Sequence, residues 1–261
     1  MTARSRSHKS KPHPSYPNPT IAEALCELHF ALPNGRPWKS TLAGDLFKQI
    51  QNDFPEMEPG IEIGLQFELS PQRIGHSVLP ARPRMRFKHK ERPLLVQLGP
   101  NVFTVNVLPK YPGWQKMRQD VLDAWRQASL VLKPAKLTRI GLRYINKVER
   151  TKENGTPGDW FKASDFVPKG VLQSKGAFLS RVESQIDGEN RVVVTFGEGQ
   201  QDSENGKKAI VLDIDRILEK DVAVDDAKIL TEMDKLHEDI WGIFEAVQAA
   251  PLIDYLKGDI Q

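Results

Sequence analysis

The chain has 261 residues, a formal net charge of +3 and 39% hydrophobic content, enough to bury a substantial core as one large domain or two small ones. No apolar run reaches the roughly 18 residues that a membrane-spanning helix needs, and the start, Met-Thr-Ala-Arg-Ser-Arg-Ser-His-Lys, is too polar for a secretory signal. The single cysteine, Cys26, excludes a disulfide scaffold and a cysteine-based zinc site, and fits a reducing cytoplasm.

The net charge hides a polarity. From Gln201 to Gln261 there are 15 acidic and 7 basic residues, a net of −8, which leaves +11 on the first 200 residues. Two readings follow: the N-terminal part attracts a nucleic acid or acidic partner, or a solvated acidic helix lies beside a mildly basic sheet.

Residues 1–19 carry Arg4, Arg6, Lys9 and Lys11, then Pro12, Pro14, Pro17 and Pro19, with no acidic residue. So little apolar surface does not offset the entropy of ordering, and a disordered basic tail over 1–19 is expected. Leu28, Phe30 and Leu32 alternate with His29 and Ala31, which predicts a strand in the later half of 21–32; Asn34-Gly35 predicts a turn. Ser40 reads as the N-cap of a helix bearing Leu42, Leu46, Phe47 and Ile50, stopped by Pro55. Ile61, Ile63, Leu65, Phe67 and Leu69 alternate as one strand, and residues 84–90 as another. Leu94 to Leu98 and Val102 to Leu108 read as a hairpin joined at Gly99-Pro100-Asn101.

Met117, Val121, Trp125 and Ala128 form one stripe of a helix over 114–132, closed by Pro134. Leu137 to Val148 follows as a strand, with Ile140, Leu142 and Tyr144 on one face and Arg139, Arg143 and Ile145 on the other. Residues 151–170, around Trp160, Phe161 and Phe166, read as a connecting segment between halves 20–150 and 171–261, which form one domain or two. The second half is a meander over 177–186, 191–196 and 208–215, with turns at Asp187-Gly188 and Asn205-Gly206. A helix over 225–248 carries Ile229, Met233, Leu236, Ile240, Phe244 and Val247 in one stripe, and a short helix over 252–256 follows Pro251. The order β-α-β-β-β-β-α-β, then β-β-β-α, predicts an α+β fold: mostly antiparallel sheet with helices packed on one face.

Known chemical motifs are sparse. Gly197-Glu198-Gly199 lacks the Lys-Ser/Thr ending of a phosphate loop and the third glycine of a dinucleotide fingerprint. His237-Glu238 lacks the second histidine of a zincin, Trp241 standing there instead, so His237 reads as a surface or packing residue. Cys26 and His29 point to opposite faces of a strand and form no nucleophile–base pair. Asp213 and Asp215 share one strand face, opposite Leu212 and Ile214. Two such carboxylates, with Glu183 as a third, suit a divalent cation, or else they are a solvated face. Arg84, Arg86, Lys88 and Lys90 share a strand face at about 7 Å intervals, near the phosphate spacing of a single strand. The rival explanation is an edge strand kept charged against aggregation and bracketed by Pro83 and Pro93.

Three segments together resemble an uncharacterised, sporadically distributed bacterial protein family of about this length. They are Pro17-Asn18-Pro19-Thr20-Ile21-Ala22-Glu23-Ala24, with Ile21 and Glu23 at recurring positions; Gly141-Leu142-Arg143-Tyr144-Ile145-Asn146; and Leu212-Asp213-Ile214-Asp215, with His237 and Phe244-Glu245 on the closing helix. The resemblance implies no established activity. It implies an accessory locus, such as a defence or toxin–antitoxin cassette, and a protein partner encoded nearby. It makes Arg143, Tyr144 and Asn146 candidates for a structural or binding role.

The leading expectation is a non-enzymatic binding module in the cytoplasm, contacting a protein or nucleic acid, without a cofactor. The alternative is a metal-dependent, nuclease-like enzyme using Asp213 and Asp215. A third reading is a small-ligand sensor with a pocket between sheet and helices.

Overall fold

Eleven strands and five helices form in a computed structural model that describes residues 13–33, 36–62, 65–70, 73–78, 82–150, 155–198 and 208–260. The strands are β1 (Ile21–Ala31), β2 (Glu56–Glu62), β3 (Leu65–Ser70), β4 (Arg73–Val78), β5 (Arg82–Lys88), β6 (Leu94–Gly99), β7 (Val102–Val107), β8 (Lys136–Arg150), β9 (Phe178–Gln185), β10 (Asn190–Glu198) and β11 (Lys208–Leu218). The helices are α1 (Thr41–Ile50), α2 (Trp114–Leu132), α3 (Pro157–Trp160), α4 (Asp226–Ala246) and α5 (Ala250–Lys257). Residues 1–12 of the expected tail, the Asn34-Gly35 and Asn205-Gly206 turns, Ile63 and Gly199 lie outside the described residues.

Nine strands make one antiparallel sheet in the order β2-β5-β6-β7-β1-β8-β11-β10-β9, and β3 and β4 pair as a separate hairpin. The fold is α+β. The two long strands β1 and β8 meet at the centre, in the register Cys26↔Leu142 and Leu28↔Ile140. From that pair the order reads alike in both directions. Each half is a long strand, a helical connection, a three-strand meander stepping back to the centre, and a long helix: β1-α1-β5-β6-β7-α2 and β8-α3-β9-β10-β11-α4. Pairing of β1 with β8 carries the sheet across these two halves, and pairing of β8 with β11 carries it across the connecting segment 151–170.

Alternation buries one face under helices. Ala24, Cys26, Leu28 and Phe30 of β1, Ile140 and Leu142 of β8, and Ile210, Leu212 and Ile214 of β11 are all at most 2% exposed. Trp125 of α2 packs on Phe30 and Phe103, and Phe47 of α1 lies over Phe87. Ile229, Met233, Leu236, Ile240 and Phe244 of α4 complete the layer. Asp225 caps α4 by accepting a hydrogen bond from the backbone N–H of Lys228 at 3.0 Å.

Four local expectations are corrected. Six strands, not four, lie between α1 and α2, and the alternating stretch 61–69 is shared between β2 and β3. The pair Pro59-Gly60 sits inside β2; that strand is the sheet edge, where a missing N–H is tolerated. β5 is therefore not an edge strand, being paired on both sides by β2 and β6. Ser40 takes the N-cap position of α1 but makes no side-chain cap bond. Lastly, His13 to Pro19 pack onto the body: the N–H of Asn18 bonds to the carbonyl of Leu256 at 3.2 Å, and its amide reaches the carbonyl of Tyr255. The rings of His13 and Tyr16 take part in this packing, both stacking on Trp241.

Leu142 is fully buried at the central pair, whereas Leu130 on the outer face of α2 is 63% exposed. Leu142→Ala is expected to lower unfolding free energy by about 2–5 kcal/mol in urea titration. Leu130→Ala is expected to change it by less than about 0.5 kcal/mol.

Candidate functional site

The sheet face away from the helices gathers charges from distant strands. Glu27 lies between Thr104 and Gly141 in the ladder. Its carboxylate accepts hydrogen bonds from Arg84 at 3.0 Å and His29 at 2.5 Å, with Arg139 at 3.9 Å. Burial raises the Glu27 pKa, but the His29 hydrogen bond and the charges of His29, Arg84 and Arg139 outweigh it and hold the group at about 2. Arg143 grips Asp213 with two parallel bonds, Nε to Oδ1 at 2.8 Å and Nη2 to Oδ2 at 2.6 Å. Asp213 is thus buried, not the solvent-facing group its alternation with Leu212 and Ile214 suggests. Beside it, burial pushes Asp215 up to about 6, against the pull of Arg143 and Arg139 and with the repulsion of Asp213 and Glu27. Glu23 accepts from Asn106 at 2.6 Å, and Asn106 in turn accepts from Gln97 at 2.8 Å.

The sequence candidates on this face are engaged with neighbouring side chains. Glu183 faces Val193, which faces Asp215, so two strand spacings (about 9.5 Å) separate the carboxylates. Glu183 also binds Arg191 at 2.7 Å. Asp213, Asp215 and Glu183 do not converge. Arg84 is buried and donates to Thr104 as well as Glu27. Arg86 donates to Gln97, Lys88 to Glu58 at 3.1 Å, and Lys90, beyond the end of β5, lies 3.6 Å from Asp53. The acidic partners come from three places, Glu27 of β1, Glu58 of β2 and Asp53 between α1 and β2, which the alternation pattern does not place beside β5.

The helix-side face holds a cavity of about 790 Å³ at the end of β8. Tyr144 and Asn146 point into it from β8, with Thr20 and Ile21 at the start of β1. The Thr20 hydroxyl donates to Asn146 Oδ1 at 2.9 Å. Gly113, at φ 92°, turns the chain from Tyr111-Pro112 into α2; that left-handed conformation disfavours other residues, and the turn sets Tyr111 and Trp114 on the cavity wall. From α4 come Asp234, His237, Glu238 and Trp241, at i, i+3, i+4 and i+7, a second stripe beside the one that faces the sheet. His13 and Tyr16 cross the open side.

Rings line this cavity. Trp114 stacks on His237 at 4.2 Å and 7°, and His13 stacks on Trp241 at 4.4 Å and 22°. Tyr16 lies parallel to Trp241 at 6.0 Å. The hydroxyls of Tyr111 and Tyr144 share a hydrogen bond of 2.7 Å, and burial raises both phenols further above neutral pH, so they stay protonated. Trp114 donates from Nε1 to Asp234 at 2.9 Å, and Arg118 pairs with the same carboxylate. His237 is 6% exposed, so it is not a surface residue, and its Nδ1 is buried without a hydrogen-bond partner among the described residues. Burial, reinforced by His13, pushes its pKa down to about 3, so it is neutral at physiological pH.

No protein-family model matches the chain, and no curated protein is significantly similar to it. Of the positions singled out by resemblance, Ile21, Tyr144 and Asn146 line the cavity, while Arg143 projects from the opposite face of the sheet and pairs with Asp213. Sequence reasoning missed Tyr111, Trp114, Trp241 and His13 as a group. The available signal was the second polar–aromatic stripe of α4.

The raised pKa of Asp215 has a stability consequence. A carboxyl group whose folded pKa exceeds its unfolded value contributes stability below the unfolded pKa and loses it as pH rises through the folded one. Between about pH 4 and 6, ionisation of Asp215 costs the native state on the order of 2 kcal/mol. Asp215→Asn is therefore expected to raise the urea midpoint at pH 7.5 and leave it nearly unchanged at pH 4.

Proposed function

We propose that the protein binds a small, flat, aromatic molecule in the cavity between its N-terminal segment, α2 and α4. The observation that carries this reading is a cavity walled by aromatic rings, those of Tyr16, Tyr111, Trp114, Tyr144, His237 and Trp241. A neutral imidazole offers one donor and one acceptor. The volume of about 790 Å³ falls in the range of small-molecule sites. Indole and phenol rings favour offset stacking on another aromatic ring. The formal charges that line the cavity cancel, Arg118 and Lys235 against Asp234 and Glu238, which favours a ligand of low net charge.

The paired state of Arg84, Arg86, Lys88 and Lys90 lends the nucleic-acid reading no support, and the separation of Glu183 from Asp215 lends none to the nuclease reading. The setting we propose is the one the resemblance implies: an accessory locus whose product senses a small molecule and passes the signal to a protein encoded nearby.

The test is titration of purified protein with indole and with adenosine, read by tryptophan fluorescence and by saturation-transfer NMR. Saturable binding is expected for at least one probe. It should weaken about tenfold in Trp241→Ala, the loss of roughly 1.4 kcal/mol of stacking. Trp160→Phe, outside the cavity lining, is expected to bind as the parent does. Absence of saturable binding by either probe, or equal binding by Trp241→Ala, would overturn the proposal.

A further inference from the structure

We propose that His13, His237 and Glu238 bind a single divalent metal ion of the zinc type at the cavity wall. Their donor atoms lie within 4.8 Å of one another. Zinc–nitrogen and zinc–oxygen bonds are about 2.0–2.2 Å, so tetrahedral ligands sit roughly 3.3–3.5 Å apart. His13 Nε2 and Glu238 Oε1 are already 2.9 Å apart. The remaining adjustment is at most about 1.5 Å, within reach of side-chain torsions.

The donor set defines the ion. Two imidazoles and one carboxylate suit zinc and its late first-row neighbours, whereas magnesium and calcium prefer oxygen alone. Both imidazoles are held by neighbouring indoles: Trp114 lies flat on His237, and Trp241 on His13. Such packing limits ring rotation, which is what a preorganised metal ligand needs. An ordinary His13–Glu238 hydrogen bond accounts for one contact among the three residues. It does not account for the second imidazole, that of His237, whose ligand nitrogen lies within 4.8 Å of the donor atoms of both.

The three ligands come from two parts of the chain 225 residues apart, the N-terminal segment and α4. A bound ion would fasten that segment across the open side of the cavity. Three protein ligands also leave a coordination position for water or for the cavity's own ligand. The metal site does not depend on the aromatic-ligand reading, since its donors are complete without one.

The experiment uses the full-length chain without an affinity tag, treated with a chelator and then titrated with Zn²⁺, Co²⁺ and Mg²⁺. Zn²⁺ is expected to raise the melting temperature progressively with concentration, as any ligand specific to the native state does. Co²⁺ should give the visible absorption of a low-coordinate site, and Zn²⁺ should displace it. Mg²⁺ should do neither. His13→Ala and Glu238→Gln change partly exposed side chains, so both should fold, and each should weaken Zn²⁺ binding at least about tenfold. No effect of Zn²⁺ on melting and no Co²⁺ spectrum would overturn the proposal. Unchanged Zn²⁺ affinity in both variants would also overturn it, by placing the ion elsewhere. Indole and adenosine binding measured in chelator separates failure of the metal site from failure of the cavity reading.

Discussion

The antiparallel pairing of β1 with β8 is the constraint on which the rest of the structure depends. Each strand carries apolar side chains toward the helices and charged ones away from them. Cys26 and Leu142 are paired under the helices, and the next pair along, Glu27 and Gly141, belongs to the other face. A slip of one residue would drive Glu27 or Arg143 into the apolar layer and expose Cys26 and Leu142, so register is strongly specified. Both meanders are then built outward from this pair, and both long helices are laid back across it.

The two faces solve different problems. On the helix side, burial of apolar area supplies the stabilisation. On the other side, Glu27, Arg84, Arg139, Arg143 and Asp213 neutralise one another across strands. Such pairs add little net stability, but removal of one partner leaves a costly uncompensated charge. Their value is to reject other registers and strand orders, because Arg84 reaches Glu27 only when β5, β6, β7 and β1 lie in this order. The basic appearance of β5 belongs to this internal pairing, with Glu56 and Glu58 of β2 supplying the outermost anions.

The approximate equivalence of the two halves breaks down at the cavity. The segment ahead of β1 does not stay with its own half. Through Thr20 it meets Asn146, through Asn18 it meets α5, and through His13 it meets α4. The start of the chain thereby completes the second half, and the aromatic rings collect where the segment crosses.

Much of the fold was legible in the sequence because it depends on local period. Alternation in 137–148 and 208–215, and the helical stripes from Met117 and from Ile229, mark elements and their buried faces without knowledge of neighbours. The turn at Asp187-Gly188 was equally local, since the Asp187 carboxylate accepts from the backbone N–H groups of Glu189 and Asn190 at 2.8 Å. The division of 61–69 into two strands was not legible, because the tolerance of Pro59 depends on β2 being an edge. Nor was the meeting of charges legible: Arg84 and Glu27 are 57 residues apart, and Arg143 and Asp213 are 70. The cavity lay furthest from view. Tyr144 and Asn146 could be singled out, and His237-Glu238 noticed, but His13 comes to them from 225 residues away. Period fixes which way a side chain points; only strand order and helix docking decide what it meets.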